Sequence, residues 1–459
     1  MGTSTAEVVV CGAGIAGIAV AYELAVRRGV RGVVLVERGD ALALTSDKST
    51  EAYRTWWPGP DGAMVRLMDR SIDLLERIAD ETDNAILLNR RGYLYATADE
   101  RGLADFRAQA EAISALGAGE LRVHDGSGGP AYTPSPAHGY AGVPTGADLI
   151  TDRRLIREQF PYLSERAAAV LHARRAGWFG GRQLGMYLLE RARAAGVRFL
   201  RGELAGVDLA GGRVAGVRVA TEGGEERIAA PALVSAAGPL QATVGRLLGL
   251  ELPIYNELHL KASFNDHLGA VPRHAPMLIW NDPVRLAWDA DERAALADEP
   301  ELRWLLDPLP PGVHGRPEGG PGATTLLLLW DYHGGRAEPR FPIPLDPQLT
   351  ELALRGLATM VPALGAYVER VPQAYLDGGY YTRTRENRPL IGPLPVAGAL
   401  VCGALSGFGL MAACAAAELI GAHLAGGPLP DYAPAFALAR YDAPAYLDAL
   451  ARWGGDGQL

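Results

Sequence analysis

Glu7-Val8-Val9-Val10-Cys11 runs straight into Gly12-Ala13-Gly14-Ile15-Ala16-Gly17, and no other stretch restricts this chain so much. A run of valines reads as a parallel strand buried on both faces. The glycines match G-x-G-x-x-G. Gly12 permits a tight strand-to-helix turn, Gly14 lets a pyrophosphate approach the backbone, and Gly17 lets helix and strand pack closely. The helical pattern that follows, through Arg28, offers phosphates its unpaired N–H groups and positive dipole end. Val33 to Val36 reads as a second strand, and Glu37 at its end lies 20 residues beyond Gly17. A carboxylate there accepts hydrogen bonds from both ribose hydroxyls and repels a 2′-phosphate. The chain therefore opens on a βαβ unit suited to an ADP moiety.

That unit is a small part of 459 residues, a length that favours two lobes over one core. The net charge of −9 makes nucleic acid an unexpected partner. Cys11, Cys402 and Cys414 lack metal-ligand spacing and read as small buried residues in a reducing compartment. Met1 to Glu7 is too short and polar for a signal peptide, and the most apolar run, Ala399 to Leu424, carries Glu418 and His423. The expectation is a cytoplasmic chain with no membrane span and no bound metal. Lys48 and Lys261 are the only lysines, so each is worth attention.

Further along, Gly62 to Thr82 has helical apolar spacing, Gly92 to Ala96 alternates like a strand, and Leu103 to Leu116 is again helical. Thr45 to Arg54 reads as a polar loop or helix start. A helix from Leu184 to Ala195 precedes short strands over Val197–Leu200, Glu203–Leu209, Arg213–Ala220, Glu225–Ala229 and Ala232–Ala236. Gly211-Gly212 and Gly223-Gly224 between them read as hairpin turns. Leu252 to Asn265 and Thr324 to Tyr332 read as strands, while Asp282 to Pro321, rich in Pro, Asp and Glu, reads as a surface excursion. Val396 to Val401 is one more strand. Nucleotide-side elements thus recur at the start, middle and end of the chain.

Two of these recurrences are glycine turns. Val234-Ser235-Ala236-Ala237-Gly238-Pro239 ends a strand in small residues, as needed where backbone passes a dinucleotide again. Gly403-Ala404-Leu405-Ser406-Gly407-Phe408-Gly409 opens a helix whose N–H groups suit a flavin pyrimidine ring and negative charge on its reduced form. With the N-terminal fingerprint come Ser46…Ser49-Thr50…Arg54, Gly92-Tyr93-Leu94-Tyr95, Asp377-Gly378-Gly379-Tyr380-Tyr381-Thr382, Arg388-Pro389-Leu390-Ile391-Gly392-Pro393 and Leu405 to Met411. This ordered set resembles the D-amino-acid oxidase superfamily, in the branch of glycine oxidase, monomeric sarcosine oxidase and dimethylglycine dehydrogenase.

The resemblance implies an α/β fold: a Rossmann-like FAD-binding domain interwoven with an α+β substrate domain built on an antiparallel sheet. It places FAD-binding parts at 1–90, 166–250 and 381–459, and substrate-domain parts at 91–165 and 251–380. Cofactor contacts are implied at Gly12, Gly14, Ile15, Ala16, Gly17, Glu37, Arg38, Thr45, Ser46, Ser49 and Thr50. They continue at Leu204, Ala237, Gly238, Gly403, Gly407, Phe408, Gly409, Leu410 and Met411. The implied activity is oxidation of a small amine or amino acid, with hydride passing to flavin N5 and an imine left for water to hydrolyse.

Departures from the family sharpen the reading. Gly379 stands where sarcosine oxidases carry a flavin-bonding cysteine, and Glu51 where dimethylglycine-dehydrogenase relatives carry a histidine, so FAD is expected to bind non-covalently. Met411 replaces the lysine that holds a substrate carboxylate, while its arginine counterpart is kept as Arg54. Leu329 replaces the oxygen-activating lysine when His333 is aligned, which leaves Lys48 or Lys261 as a substitute and leaves oxidase against dehydrogenase open. Tyr381 matches a cavity tyrosine; Tyr380, Tyr332, Trp56 and Trp57 could add aromatic walls for a methylated or cyclic amine. His333 and His259 are candidate proton-handling groups. The catalytic set is therefore Arg54, Tyr381, His333 and Lys48. Two alternatives stand beside amine oxidation: a tailoring enzyme for a larger secondary metabolite, and a flavin-bound subunit needing a partner. A homodimer or an electron-acceptor partner is open in each.

Overall fold

The chain is described as a computed structural model covering residues 3–320 and 322–452. Residues 1–2 and 453–459, at the ends of the parts expected to bind FAD, and Pro321 lie outside the described residues.

The valine strand Val8–Cys11 is the spine of a six-stranded sheet. Val9 and Val10 are 0% exposed because the strand is covered on both faces and paired on both edges. Its parallel neighbours are Val33–Glu37 and Leu233–Ser235. Arg198–Arg201 extends one side; Ala399–Gly403 extends the other, followed by antiparallel Leu390–Pro393. Residues far apart in sequence thus meet along one sheet edge.

Helix Gly409–Ala425 packs against Ile15–Tyr22 and Ala63–Glu81. Its alanines (Ala412, Ala413, Ala415, Ala416 and Ala417) keep the surface smooth enough for close helix contact. Ser406–Ala425 is long and apolar enough to cross a membrane by composition, yet it is a core element here, and Glu418 pairs with Arg70 at 2.6 Å. Ala63–Glu81 buries Met64, Leu67, Met68, Ile72, Leu75 and Ile78, the stripe its periodicity indicates.

The second lobe is a nine-stranded sheet ordered Tyr375–Arg383, Tyr255–Asn265, Thr325–Leu329, His314–Pro317, Met277–Trp280, Tyr93–Thr97, Ala169–Ala173, Ala147–Ile150 and Leu121–His124. It is mostly antiparallel; Met277–Trp280 with Tyr93–Thr97, and Leu121–His124 with Ala147–Ile150, run parallel. Lys261 pairs with Leu329, and Leu329 with His314, so these three share a face. Glu257 and His259 follow on that face by the two-residue alternation, and Tyr381 lies opposite Glu257. The other face carries Ala262, Leu326, Leu328 and Trp330 against helix Leu349–Ala358.

Two expectations change. Thr45 to Arg54 ends as a strand, Ala52–Arg54, paired with Ala176–Trp178. The supposed surface excursion Asp282 to Pro321 returns to the interior: His314–Pro317 is an inner strand, with Arg316 0% exposed. Pro and acidic residues mark the outer part of that segment, while Gly315 permits the return, since a Cβ there would meet the Leu327 carbonyl oxygen at 2.6 Å.

Within this sheet His172 is 1% exposed. Its Nε2–H donates to the Arg91 carbonyl at 2.8 Å, and its Nδ1 accepts from the Tyr132 hydroxyl at 2.9 Å. Burial holds its imidazolium pKa down to about 3, against 6.5 for a free histidine. The unfolded chain therefore takes up this proton first as pH falls, and the stabilisation present above about pH 6.5 is lost on the way to about pH 3. Urea unfolding should show His172→Gln losing about 1.4 kcal/mol per pH unit of that slope between about pH 6 and pH 4.5. An unchanged slope in the variant would contradict the assignment.

Candidate active site

The N-terminal turn divides its three glycines by what each must avoid. Gly12 has φ +102°, and a Cβ would meet the Ala236 carbonyl oxygen at 2.5 Å; at Gly17 it would meet the Gly12 oxygen at 1.8 Å. Packing demands both. At Gly14 the nearest atom is only Ser46 Oγ, at 3.2 Å, so this glycine leaves space rather than relieving a clash. Such space beside a helix start is what a phosphate needs. The Ile15 N–H donates to Ser46 Oγ at 2.9 Å, and Ala16 is buried behind it. Glu37 accepts the Ala13 and Gly39 N–H groups, both at 2.8 Å, which fixes its carboxylate at the strand end. Arg38 reaches the Phe341 ring, 5.8 Å from its centroid, and Leu204 is buried in a cluster with Val36.

The 45–51 loop is held by the opposite lobe. Thr45 donates to the Tyr380 carbonyl at 2.9 Å, Lys261 to the Ser49 carbonyl at 3.0 Å, and Arg316 to the Thr50 carbonyl at 2.6 Å. Burial lowers the Lys261 pKa, although Asp377 and Glu51 act against it. The Ala237 N–H donates to Gln241 at 3.1 Å beside Gly238, whose φ is +52°. In the last turn Ala404 and Ser406 hold φ of 52° and 45°, conformations that cost energy for side-chain-bearing residues and cluster at functional sites. Among the described residues no side chain caps the helix beginning at Gly409. Open space at Gly14, the fixed Glu37 carboxylate and this strained turn are features that would hold an FAD.

A cavity of about 290 Å³ lies between this turn and the nine-stranded sheet. Gly407, Phe408 and Met411 form one wall; Leu410 is buried behind them. Arg54, 4% exposed, lines another wall with its guanidinium 4.2 Å from the Trp57 ring and 5.6 Å from that of Tyr93. It donates to the Tyr95 hydroxyl at 3.2 Å, while Trp57 donates to the Arg54 carbonyl at 3.1 Å and meets Phe408 edge-on. The cation is thus fixed in an aromatic frame. On the roof, Tyr381 stacks on His259 with ring centroids 3.9 Å apart. Burial, then Asp331, pushes the Tyr381 hydroxyl up to about 12, so it stays protonated. His259 lies 3.4 Å from Glu257 and 3.7 Å from Asp331, and Arg383 pairs with Glu257 at 2.8 Å. Burial would raise the Glu257 carboxyl, but His259 and Arg383 outweigh it and hold it low.

The structure thus brings Arg54, Tyr381, Trp57 and Met411 together. It places His333 and Lys48 elsewhere: His333 meets Asp346 at 3.0 Å with a 61% exposed side chain, and Lys48 lies between Asp47 and Asp377 at 2.9 and 3.2 Å. Neither lines the cavity. Both lie outside the strands that frame the cavity: His333 is beyond the end of the Thr325–Leu329 strand, and Lys48 belongs to the turn before the Ala52–Arg54 strand. Tyr380 points to the opposite side of its strand and bonds the Arg340 backbone, Tyr332 bonds Asp346, and Trp56 is core. Sequence reasoning missed His314, Asp331 and Arg383, which line the cavity. Arg383 and Asp331 could have been found by continuing the alternation from Tyr381 and Leu329; His314, inside a Pro/Gly-rich stretch, had no such signal. Cys11, Cys402 and Cys414 are buried, and burial pushes each thiol up to about 12.

Residues 7–423 match the family described as FAD dependent oxidoreductase. Among solved structures the chain is similar to L-proline dehydrogenase from P. horikoshii, with 18% identity, 96% of this chain and 98% of that one covered, and a TM-score of 0.71. It is similar to glycine oxidase from Geobacillus kaustophilus at 19% identity, 95% and 99% coverage, and a TM-score of 0.70. It is also similar to NikD, an unusual amino acid oxidase essential for nikkomycin biosynthesis, at 15% identity, 94% and 95% coverage, and a TM-score of 0.67. At these identities the likeness is one of fold.

The contrast among the glycines is testable. Gly14→Val should keep the native far-UV circular dichroism and thermal transition but lose bound flavin, with affinity down roughly tenfold or more, about 1.4 kcal/mol. Retention of full flavin content by the folded variant would contradict the assignment of that space to phosphate.

Proposed function

Because this chain belongs to the FAD dependent oxidoreductase family, we propose that it oxidises the C–N bond of an amine or amino acid to an imine. The observation that carries this reading is Arg54, a buried cation fixed between Trp57 and Tyr93 and facing the cavity. A substrate carboxylate fits it by charge-assisted hydrogen bonds. Bound FAD supplies the two-electron acceptor. The protein's part is orientation and exclusion of water. Met411, Leu329, Trp57 and Phe408 give the cavity apolar surface, and the protonated Tyr381 hydroxyl offers a donor opposite them. The apolar walls disfavour the charged ammonium and so favour the neutral amine, whose lone pair the oxidation requires.

FAD is held non-covalently in this proposal. Gly379 and Glu51 supply no sulfur or imidazole, and a side chain at 379 would meet Thr45 atoms at 3.1 to 3.4 Å. Acid precipitation should leave the yellow colour in the supernatant; a yellow pellet would contradict it.

A larger, tailored substrate is the second reading. What favours it is the size of the cavity, about 290 Å³, near the lower end of the range that takes drug-sized ligands. The amino acid oxidase essential for nikkomycin biosynthesis shares the fold.

Arg54→Met distinguishes the carboxylate role. For an amino acid substrate, KM should rise roughly 10- to 100-fold, the worth of a charge-assisted hydrogen bond of about 1.5–3 kcal/mol. For the corresponding decarboxylated amine, KM should hardly move. Equal losses for both compounds would remove Arg54 from carboxylate binding.

A further inference from the structure

His314 is the one cavity-lining imidazole whose tautomer is set by the backbone. Its Nδ1 lies 2.7 Å from the Gly312 carbonyl oxygen. A carbonyl oxygen only accepts, so Nδ1 carries the hydrogen, and in a neutral ring Nε2 then presents a lone pair. Burial holds the imidazolium pKa down to about 4; the hydrogen bond to Gly312 and the Asp331 carboxylate act against it, and the Arg54 charge acts with it. The ring is therefore neutral across the physiological range. No hydrogen bond reaches Nε2 among the described residues, and the ring lines the cavity on the face shared with Leu329 and Lys261. Water in the open cavity can satisfy such an acceptor, and a ligand that displaces that water must bring an N–H or O–H of its own or leave the acceptor unpaired.

Arg54, on the same cavity, has donors alone. We propose that Nε2 of His314 accepts the N–H of the substrate nitrogen, making His314 a positioning residue that selects primary and secondary amines over tertiary ones. The inference rests on the reading of Arg54 as the carboxylate anchor, which sets the α-nitrogen beside it. A neutral primary or secondary amine can donate one hydrogen to His314 and keep its lone pair for C–N oxidation. A neutral tertiary amine has no hydrogen to give and leaves the acceptor unpaired. The expected discrimination is roughly tenfold or more. His259 is less suited: Glu257 and Asp331 stand at its Nε2 and its ring is covered by Tyr381.

The test is a titration of the flavin-loaded protein, followed by its visible spectrum, with pyrrole-2-carboxylate and furan-2-carboxylate. The two are planar carboxylates of nearly one shape, and only the pyrrole has an N–H beside the carboxyl group. Neither offers an amine C–H to oxidise, so the spectrum reports binding alone. The wild type should bind the pyrrole roughly tenfold or more tightly. His314→Phe should bring the ratio close to one, and His314→Gln, whose amide oxygen accepts, should restore part of it. Equal binding of the two compounds by the wild type, or a preference unchanged in His314→Phe, would overturn the role of His314 while leaving Arg54 as anchor. Failure of both compounds to perturb the flavin would instead overturn the carboxylate site and this inference with it. Should His314→Phe not fold, the wild-type ratio decides, together with turnover of an N-methyl against an N,N-dimethyl amino acid.

Discussion

A methyl group on Gly17 would sit 1.8 Å from the carbonyl oxygen of Gly12, and the placement of the whole nucleotide lobe depends on its absence. Without that contact the Ile15–Tyr22 helix could not lie so close to the Val8–Cys11 strand. The helix start would then not face the space left at Gly14. The Gly409–Ala425 helix packs on the same helix through its alanines, so the second glycine turn is positioned by the first. Two helix starts contributed by opposite ends of the chain are thereby held in one frame, and the cavity opens beside the second.

The two lobes are joined at the loop that runs between them. Lys261 and Arg316, both from the nine-stranded sheet, donate to backbone carbonyls of Ser49 and Thr50. Arg316 is fully buried and also pairs with Glu318 at 2.6 Å. Buried cations are costly unless paired and hydrogen-bonded, so these contacts specify a geometry more than they add stability. Because Arg54 follows this loop directly, the lock on Ser49 and Thr50 also sets where the aromatic-framed guanidinium faces the cavity.

What was legible in the sequence is what local chemistry dictates. Valines, three glycines and Glu37 report the nucleotide unit without tertiary help. Gly211-Gly212, with φ of +57° and +77°, marks its hairpin for the same reason. Tyr381, Arg54 and Met411 were reached through resemblance and meet at one cavity. His333 and Lys48 were not distinguishable from His314 and Lys261 by sequence, since a lone histidine or lysine carries no signal of which sheet face it occupies. Only the register, Lys261 to Leu329 to His314, tells which side chains share the cavity face. The Asp282 to Pro321 segment misled because composition averages over a stretch whose last residues turn back inside. Short strands such as Met277–Trp280 were missed for a related reason: four apolar residues fit a strand or a helix equally well.

The proposed reaction is oxidation of an amine or amino acid on a bound flavin in the cavity of Arg54, Tyr381 and His314. Its most direct test is the visible spectrum of the purified protein, recorded without oxygen before and after a panel of amino acids, N-methyl amino acids and simple amines is added. The proposed reaction requires a flavin spectrum that bleaches with a primary or secondary amine bearing a carboxylate. A protein purified without flavin, or one bleached by alcohols and by no amine, would contradict it.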